Sequence, residues 1–309
     1  MLDPTGHGLL EAIVQGSAGS LRAAVFFGSR SSGVETTSAS AYDLMLVCSA
    51  SQAFFEATHR AGLLGRAPHL LRLADWFLPP TQVRLTVGGA TAKASVVSLE
   101  DLLVSTSSAR KDQFLAGRLF QDVHLVWAES AESGLRVQSA IAAARRLTLE
   151  WVAPDLPATF SARDYLSQVF RTSFRFEVRP ETRARADALA GAQAERLVPI
   201  FERVLAELAT EGRVTRLADG RFTIAAGVPF RRRVGRRLFM EWSRVRATLR
   251  WPKHAFTFDG WLDYIVRKAE RHSGETIVLT RMERRFPFVF LWPRVFRFLV
   301  RQRRKSTSV

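Results

Sequence analysis

Cysteine is nearly absent: Cys48 is the one thiol in 309 residues. A lone cysteine closes no disulfide within the chain, which points to a reducing compartment. Cys48 lies in an apolar run, so a buried spectator and a reactive thiol are its two readings. No basic stretch followed by an apolar core opens the chain, so a secretory signal is not expected. No uncharged apolar run approaches the ~18 residues that span a bilayer. The six histidines show no metal-ligand spacing. No Gly-Lys-Ser/Thr follows a glycine loop, and the three-glycine dinucleotide spacing is missing, so both common phosphate motifs are excluded. Disorder is excluded as well, because 47% of the residues are hydrophobic.

Acidic residues are scarce in one part only. From Arg231 to Val309 there are 21 basic and 6 acidic residues, a net of +15. The preceding 230 residues hold 24 basic and 23 acidic residues, so nearly all of the +16 sits in the tail. Such a tail seeks an anionic surface, either acidic lipid headgroups or nucleic acid.

What is present begins at Arg22–Phe27, a β-branched and aromatic run that reads as a buried strand. Gly28 and Ser29 follow at once, then the small polar residues Ser31, Ser32 and Gly33. Glycine lets the backbone approach a ligand, and exposed N–H groups beside a hydroxyl suit phosphate. Tyr42–Cys48 reads as the next strand, and it carries one carboxylate, Asp43. A charge in an apolar strand is costly unless it is paired or binds a cation. Mg2+ takes carboxylates together with triphosphate oxygens.

Further along, the pattern predicts strands at 83–87, 92–97 and 123–127 and helices at 9–18, 52–73 (broken near Gly62, Gly65 and Pro68) and 113–119. Ser98 reads as a helix cap with Glu100 and Asp101 in the first turn. The expected class is α/β (α+β) with a mixed sheet over residues 1–130. Residues 131–228 read as a helical, winged-helix-like domain. Its helices fall at 135–151 and 192–208, a Ser161/Asp164 capping box opens another, and a hairpin turns at Asp219-Gly220. Residues 229–309 read as a basic, aromatic, membrane-associating tail. After Pro293, Arg294, Arg297 and Arg301 recur on one helix face beside Trp292 and Phe296, which describes an interfacial helix. Interleaved arginines and aromatics also suit single-stranded nucleic acid; the consecutive apolar block favours the membrane.

A strand, Gly28-Ser29, a spacer and an acid on the next strand resemble the nucleotidyltransferase superfamily of DNA polymerase β. Most members carry two acids on the second strand and a third on a later one; here Ala41 and Ser95 stand in those places. The sequence is more similar to the mitochondrial-type phosphatidate cytidylyltransferases, the translocator assembly and maintenance family, which keep a single acid there. The resemblance rests on Phe27-Gly28-Ser29, Tyr42-Asp43-Leu44, the block from Lys93 to Leu102, and Leu115-Ala116-Gly117-Arg118-Leu119. It fades by about Leu205. Where the family has a Trp-His pair this chain has Phe54-Phe55, and of a His-Tyr-Ser motif only His69 is left. Trp76 to Pro80 replaces a Gly-Ala-Gly stretch.

The resemblance implies transfer of a cytidylyl group from CTP to phosphatidate, giving CDP-diacylglycerol and pyrophosphate. It implies Mg2+ on Asp43 and a triphosphate cradled by Gly28, Ser29 and Ser31. Lys93 and Arg118 would neutralise phosphate charge. The setting would be cytoplasmic, peripheral on the inner face of a membrane. Two alternatives remain: a catalytically weak protein that binds acidic lipid or nucleic acid, and a nucleotidyltransferase with another acceptor.

Overall fold

The computed structural model describes residues 2–28, 30, 41–176, 183–224, 229–257, 262, 266, 270, 276–285 and 290. Contacts divide the chain into Met1–Phe258 and Asp259–Val309. In the first unit, helix α1 (Pro4–Gly16) begins before the expected Leu9. The Asp3 carboxylate accepts from the Gly6 N–H at 2.7 Å, and Pro4 fills the first turn. Strand β1 (Leu21–Phe27) and strand β2 (Tyr42–Cys48) then pair antiparallel. The expected 52–73 helix is two helices, α2 (Ser51–Arg60) and α3 (Pro68–Phe77), parted by the glycines and opened afresh at Pro68.

Strands β3 (Thr81–Val87) and β4 (Ala90–Ser98) form a hairpin over Gly88-Gly89, both at positive φ. Ser98 caps α4 (Leu99–Ser105), accepting from the Asp101 N–H at 3.0 Å. A short helix α5 (Ala116–Leu119) leads to β5 (His124–Ala128) and the long α6 (Ala131–Val152). The five strands form one mixed sheet in the order β3-β4-β2-β1-β5, with β2 and β4 parallel and the other pairs antiparallel.

Side chains alternate across the sheet. One face (Phe26, Leu44, Leu46, Val83, Ala94, Val96) packs on α1 to α3, with Ile13, Phe54, Phe55 and Leu71 in the same cluster. The other face (Val25, Met45, Val47, Val97) faces α4 to α6. That second core runs on without a break into α7 (Ala162–Phe176) and α8 (Arg183–Thr210), where Phe120 meets Trp151 and Phe170 edge-on. The Ser161/Asp164 capping box forms as expected. The hairpin of β6 (Thr215–Arg216) and β7 (Phe222–Thr223) follows, and Phe160 exchanges both backbone hydrogen bonds with Phe222 beside it. Its turn is longer than the two-residue turn expected. The Gly220 N–H reaches Leu217 O at 3.0 Å, and Gly220 sits at φ +81, a turn followed by a glycine bulge.

Helix α9 (Phe230–Thr257) opens the stretch read as tail, yet it packs within the first unit. Met240 joins the core. The Asp112 carboxylate accepts from Arg246 Nε at 2.7 Å and Arg250 at 3.0 Å, and Ser243 Oγ accepts from the Gln113 N–H at 3.0 Å. Arg250 also donates to Pro79 O at 2.5 Å, and Lys253 Nζ to Leu78 O at 2.6 Å and Pro80 O at 2.9 Å. The loop after α3 thus points three successive carbonyls at α9. In the second unit, Thr280 caps α10 (Arg281–Arg285) through Glu283. Among the described residues, no helix is long and apolar enough to cross a membrane.

Removing one partner of a buried ion pair strands the other. Asp112→Ala leaves the Arg250 charge buried without its carboxylate and is expected to cost about 3–5 kcal/mol in chemical denaturation. A second outcome concerns pH. Burial, with Arg250 near and Asp75 opposing, pushes the Lys253 ammonium from 10.5 down to about 7. Between those values the unfolded chain binds more protons than the folded one, so this group's stability contribution rises with pH and is lost as pH falls towards 7. Melting from pH 7 to 10 should therefore favour the wild type increasingly over Lys253→Met.

Candidate functional site

The site is built at one end of the sheet, where β1 stops and β2 starts. Gly28 follows β1 with φ +90, a conformation open to glycine and strained for other residues. A Cβ there would lie 3.0 Å from Cβ and Cγ of Asp43 and closer still to Oδ2. The glycine is thus fixed twice, by its backbone and by the carboxylate lying against it.

Strand register sets the neighbours. Asp43 pairs with Phe27 on β1 and with Lys93 on β4, and Lys93 pairs with Arg84 on β3. Directly paired residues share a face, with Cβ atoms about 5 Å apart. Asp43, Lys93 and Arg84, all half-buried, therefore form a row across three strands, on the side of Met45, Val47 and Val97. The next row inward is Met45, Ser95 and Gln82, where Gln82 Nε2 donates to Ser95 Oγ at 3.4 Å.

The start of β2 is fixed from the opposite face. The Tyr42 hydroxyl donates to Asp3 Oδ1 at 2.6 Å. Arg30, just past Gly28, lies over the Tyr42 ring at 4.4 Å and donates to Asp3 Oδ2 at 3.3 Å. The Tyr42 hydrogen bond, then the Gly6 N–H and, more weakly, Arg30 hold the Asp3 carboxyl below its usual value. The N-cap of α1 thereby ties both ends of the glycine loop's frame.

Of the expected phosphate and metal residues, Gly28, Asp43 and Lys93 come together at this edge. Arg118 lies on α5, whose Ala116 and Leu119 pack in the core on the same side of the sheet. Its guanidinium covers the Phe114 ring at 3.8 Å and donates to Phe114 O at 3.0 Å, while Arg250 covers Phe114 at 4.3 Å. Ser29 and Ser31 lie outside the described residues, as do Trp292, Arg294, Phe296, Arg297 and Arg301.

The donor set for Mg2+ is narrow. Among the described residues, no group of three His, Cys, Asp or Glu side chains could hold a metal. Glu100 and Asp101 follow Ser98, which pairs with Cys48 at the far end of β2. Five residues of strand place them about 16 Å from Asp43. Asp43 would thus supply one carboxylate, with phosphate oxygens and water completing the shell. Mg2+ accepts such a set, since it is commonly held by one or two carboxylates plus substrate phosphates. Cys48 is no nucleophile at neutral pH: it is fully buried, and burial pushes its thiol up to about 12.

Two residues of this region were not singled out in the sequence. Arg84 had a signal: the two-residue turn at Gly88-Gly89 fixes its register opposite Lys93. Asp112 had none, because its partners lie more than 130 residues away on α9. A scan against protein-family models finds no match, and a search of curated proteins finds no relative.

Gly28→Ala tests the close approach. The substitution strains φ and displaces the Asp43 carboxylate, with an expected loss of about 1–3 kcal/mol in denaturation. Gly19→Ala, also at positive φ but with no atom within 4 Å of the added Cβ, provides the control for backbone strain alone.

Proposed function

We propose that the chain is a nucleotidyltransferase that moves a cytidylyl group from CTP to phosphatidate on a membrane's inner, cytoplasmic face. The observation that carries this is the row at the sheet edge: a left-handed glycine against a single carboxylate, with Lys93 and Arg84 beside it. A nucleotidyltransferase fold accords with the mixed sheet and the Gly28–Asp43 approach. A winged helix accords with the hairpin that Phe160 joins after the helices.

In the proposed reaction a phosphatidate oxygen attacks the α-phosphorus of CTP. A new P–O bond forms, the bond to the β-phosphate oxygen breaks, and pyrophosphate leaves. Such transfers need alignment and charge neutralisation more than covalent help from the protein. The Gly28 backbone lets the triphosphate approach without a side chain in the way. Asp43 would hold Mg2+ against the phosphate oxygens, and the ion would offset charge at the α-phosphorus. Lys93 and Arg84 would hold non-bridging oxygens, Arg84 suiting two at once. Arg118, oriented by Phe114, would face the phosphatidate headgroup.

A second reading is favoured by the same row. Asp43 has cations, not a second carboxylate, on its β4 side. That pattern also suits a catalytically weak protein that holds an anionic headgroup or nucleic acid without transferring a nucleotide.

The two part in one assay. Purified protein with CTP, Mg2+ and phosphatidate vesicles is expected to release pyrophosphate. Asp43→Asn should lower that rate by about a hundredfold or more, the scale of losing charge stabilisation in the transition state. Binding of CTP in calorimetry without turnover favours the second reading, and full activity of Asp43→Asn rules out the carboxylate's role. Labelled nucleotides offered with protein or RNA acceptors test transfer to another substrate.

A further inference from the structure

Helix α9 has two faces of opposite character. Its inner face carries Met240, Ser243, Arg250, Lys253 and Thr257, all buried. Its outer face carries Phe230, Val234, Leu238, Trp242, Val245 and Leu249, all exposed, Leu238 to 67%. Steps of four, four, four, three and four residues keep these six on one stripe along five turns. Helix α3, in contact with α9, does the same on a smaller scale. Leu70, Leu73, Trp76 and Phe77 are exposed, Trp76 to 80%, while its one acid, Asp75, turns inward to accept from Thr81 at 2.7 Å. Large apolar side chains scattered singly on a surface need no account, but ten on two touching helices do.

Charge decides what covers them. Between Phe230 and Thr257 there are nine basic residues and one acid, Glu241. Arg236, Arg246, Arg250 and Lys253 are spent inward on Asp155, Asp112 and backbone carbonyls. Arg237 and Arg244 are exposed along one edge of the stripe, Arg244 lying 3.8 Å from Glu241, and Arg231 and Arg232 are exposed at its start. A second copy of this helix would bring like charge. So would residues 259–309, with 12 basic against 5 acidic residues. A nucleic-acid backbone would answer the arginines but leave an aliphatic stripe wet. An anionic bilayer interface answers both, with tryptophan and phenylalanine at headgroup depth and arginine beside the phosphates.

We infer that the outer faces of α9 and α3 form a docking surface for an anionic membrane, distinct in sequence from residues 292–301. The surface does not depend on which group is transferred, and its test needs no nucleotide.

The full-length protein is labelled with an environment-sensitive fluorophore at Leu238→Cys, at Leu73→Cys, or at Glu202→Cys as an exposed control on α8. Cys48 is buried and stays unlabelled. Phosphatidylcholine vesicles containing phosphatidylglycerol should shift the emission to the blue at 238 and 73 and leave 202 unchanged. Pure phosphatidylcholine should give little shift. Paired Leu238→Ser/Trp242→Ser and Leu73→Ser/Trp76→Ser variants should each lower vesicle partition by about tenfold or more, with melting unchanged, because the apolar anchoring area is lost. Vesicle binding with no shift at 238 or 73 overturns the inference and leaves docking to another segment. So does a shift that grows with protein concentration without vesicles, which marks a second copy. So does a shift on an oligonucleotide but not on vesicles. Absence of pyrophosphate release leaves these outcomes untouched.

Discussion

The attachment of one arginine-rich helix organises much of this molecule. Asp112 accepts from Arg246 and Arg250, and the carbonyls of Leu78, Pro79 and Pro80 accept from Arg250 and Lys253. Burying cations is costly, and such a cluster is weak evidence for net stability. Its value lies in register. An arginine stranded from Asp112 would be worse than one paired, so a slip along α9 is penalised at two positions at once. The contact also joins distant parts of the chain, since α9 grips a loop some 170 residues earlier.

That anchoring has a consequence on the other side of the helix. Once Met240, Ser243, Arg250 and Lys253 face inward, the stripe from Phe230 to Leu249 must face out. An amphipathic helix normally buries its apolar side. Here polar anchoring overrides that preference and leaves the larger hydrophobic side chains exposed.

The candidate site follows a tighter constraint. The Asp43 side chain lies where a Cβ at position 28 would go, so that edge of the sheet has no room for a side chain at 28. The register that places Asp43 beside Phe27 also places Lys93 and Arg84 in line with it. The single acid thus has cationic residues as its register neighbours on the β4 side, unlike a site where two carboxylates stand together.

Much of the sheet was legible in the sequence. Runs such as Arg22–Phe27 and Tyr42–Cys48 are too short and too apolar to be anything but buried strands, and glycine pairs and Ser98 mark their ends. The isolated carboxylate at 43 and the glycine at 28 could be picked out as well, because each breaks the local pattern. The charge imbalance was visible, but its use was not. Periodicity gives α9 faces, and arginines lie on both. Which face goes inward depends on Asp112 and on three backbone carbonyls, none of which a local pattern reveals. The sequence by itself determined the strands, the odd acid and the excess of cations. The tertiary structure alone decided which cations are buried, which apolar side chains are left in water, and that Lys93 and Arg84 stand beside Asp43. Those outcomes depend on partners far apart in the chain, which only the folded chain brings together.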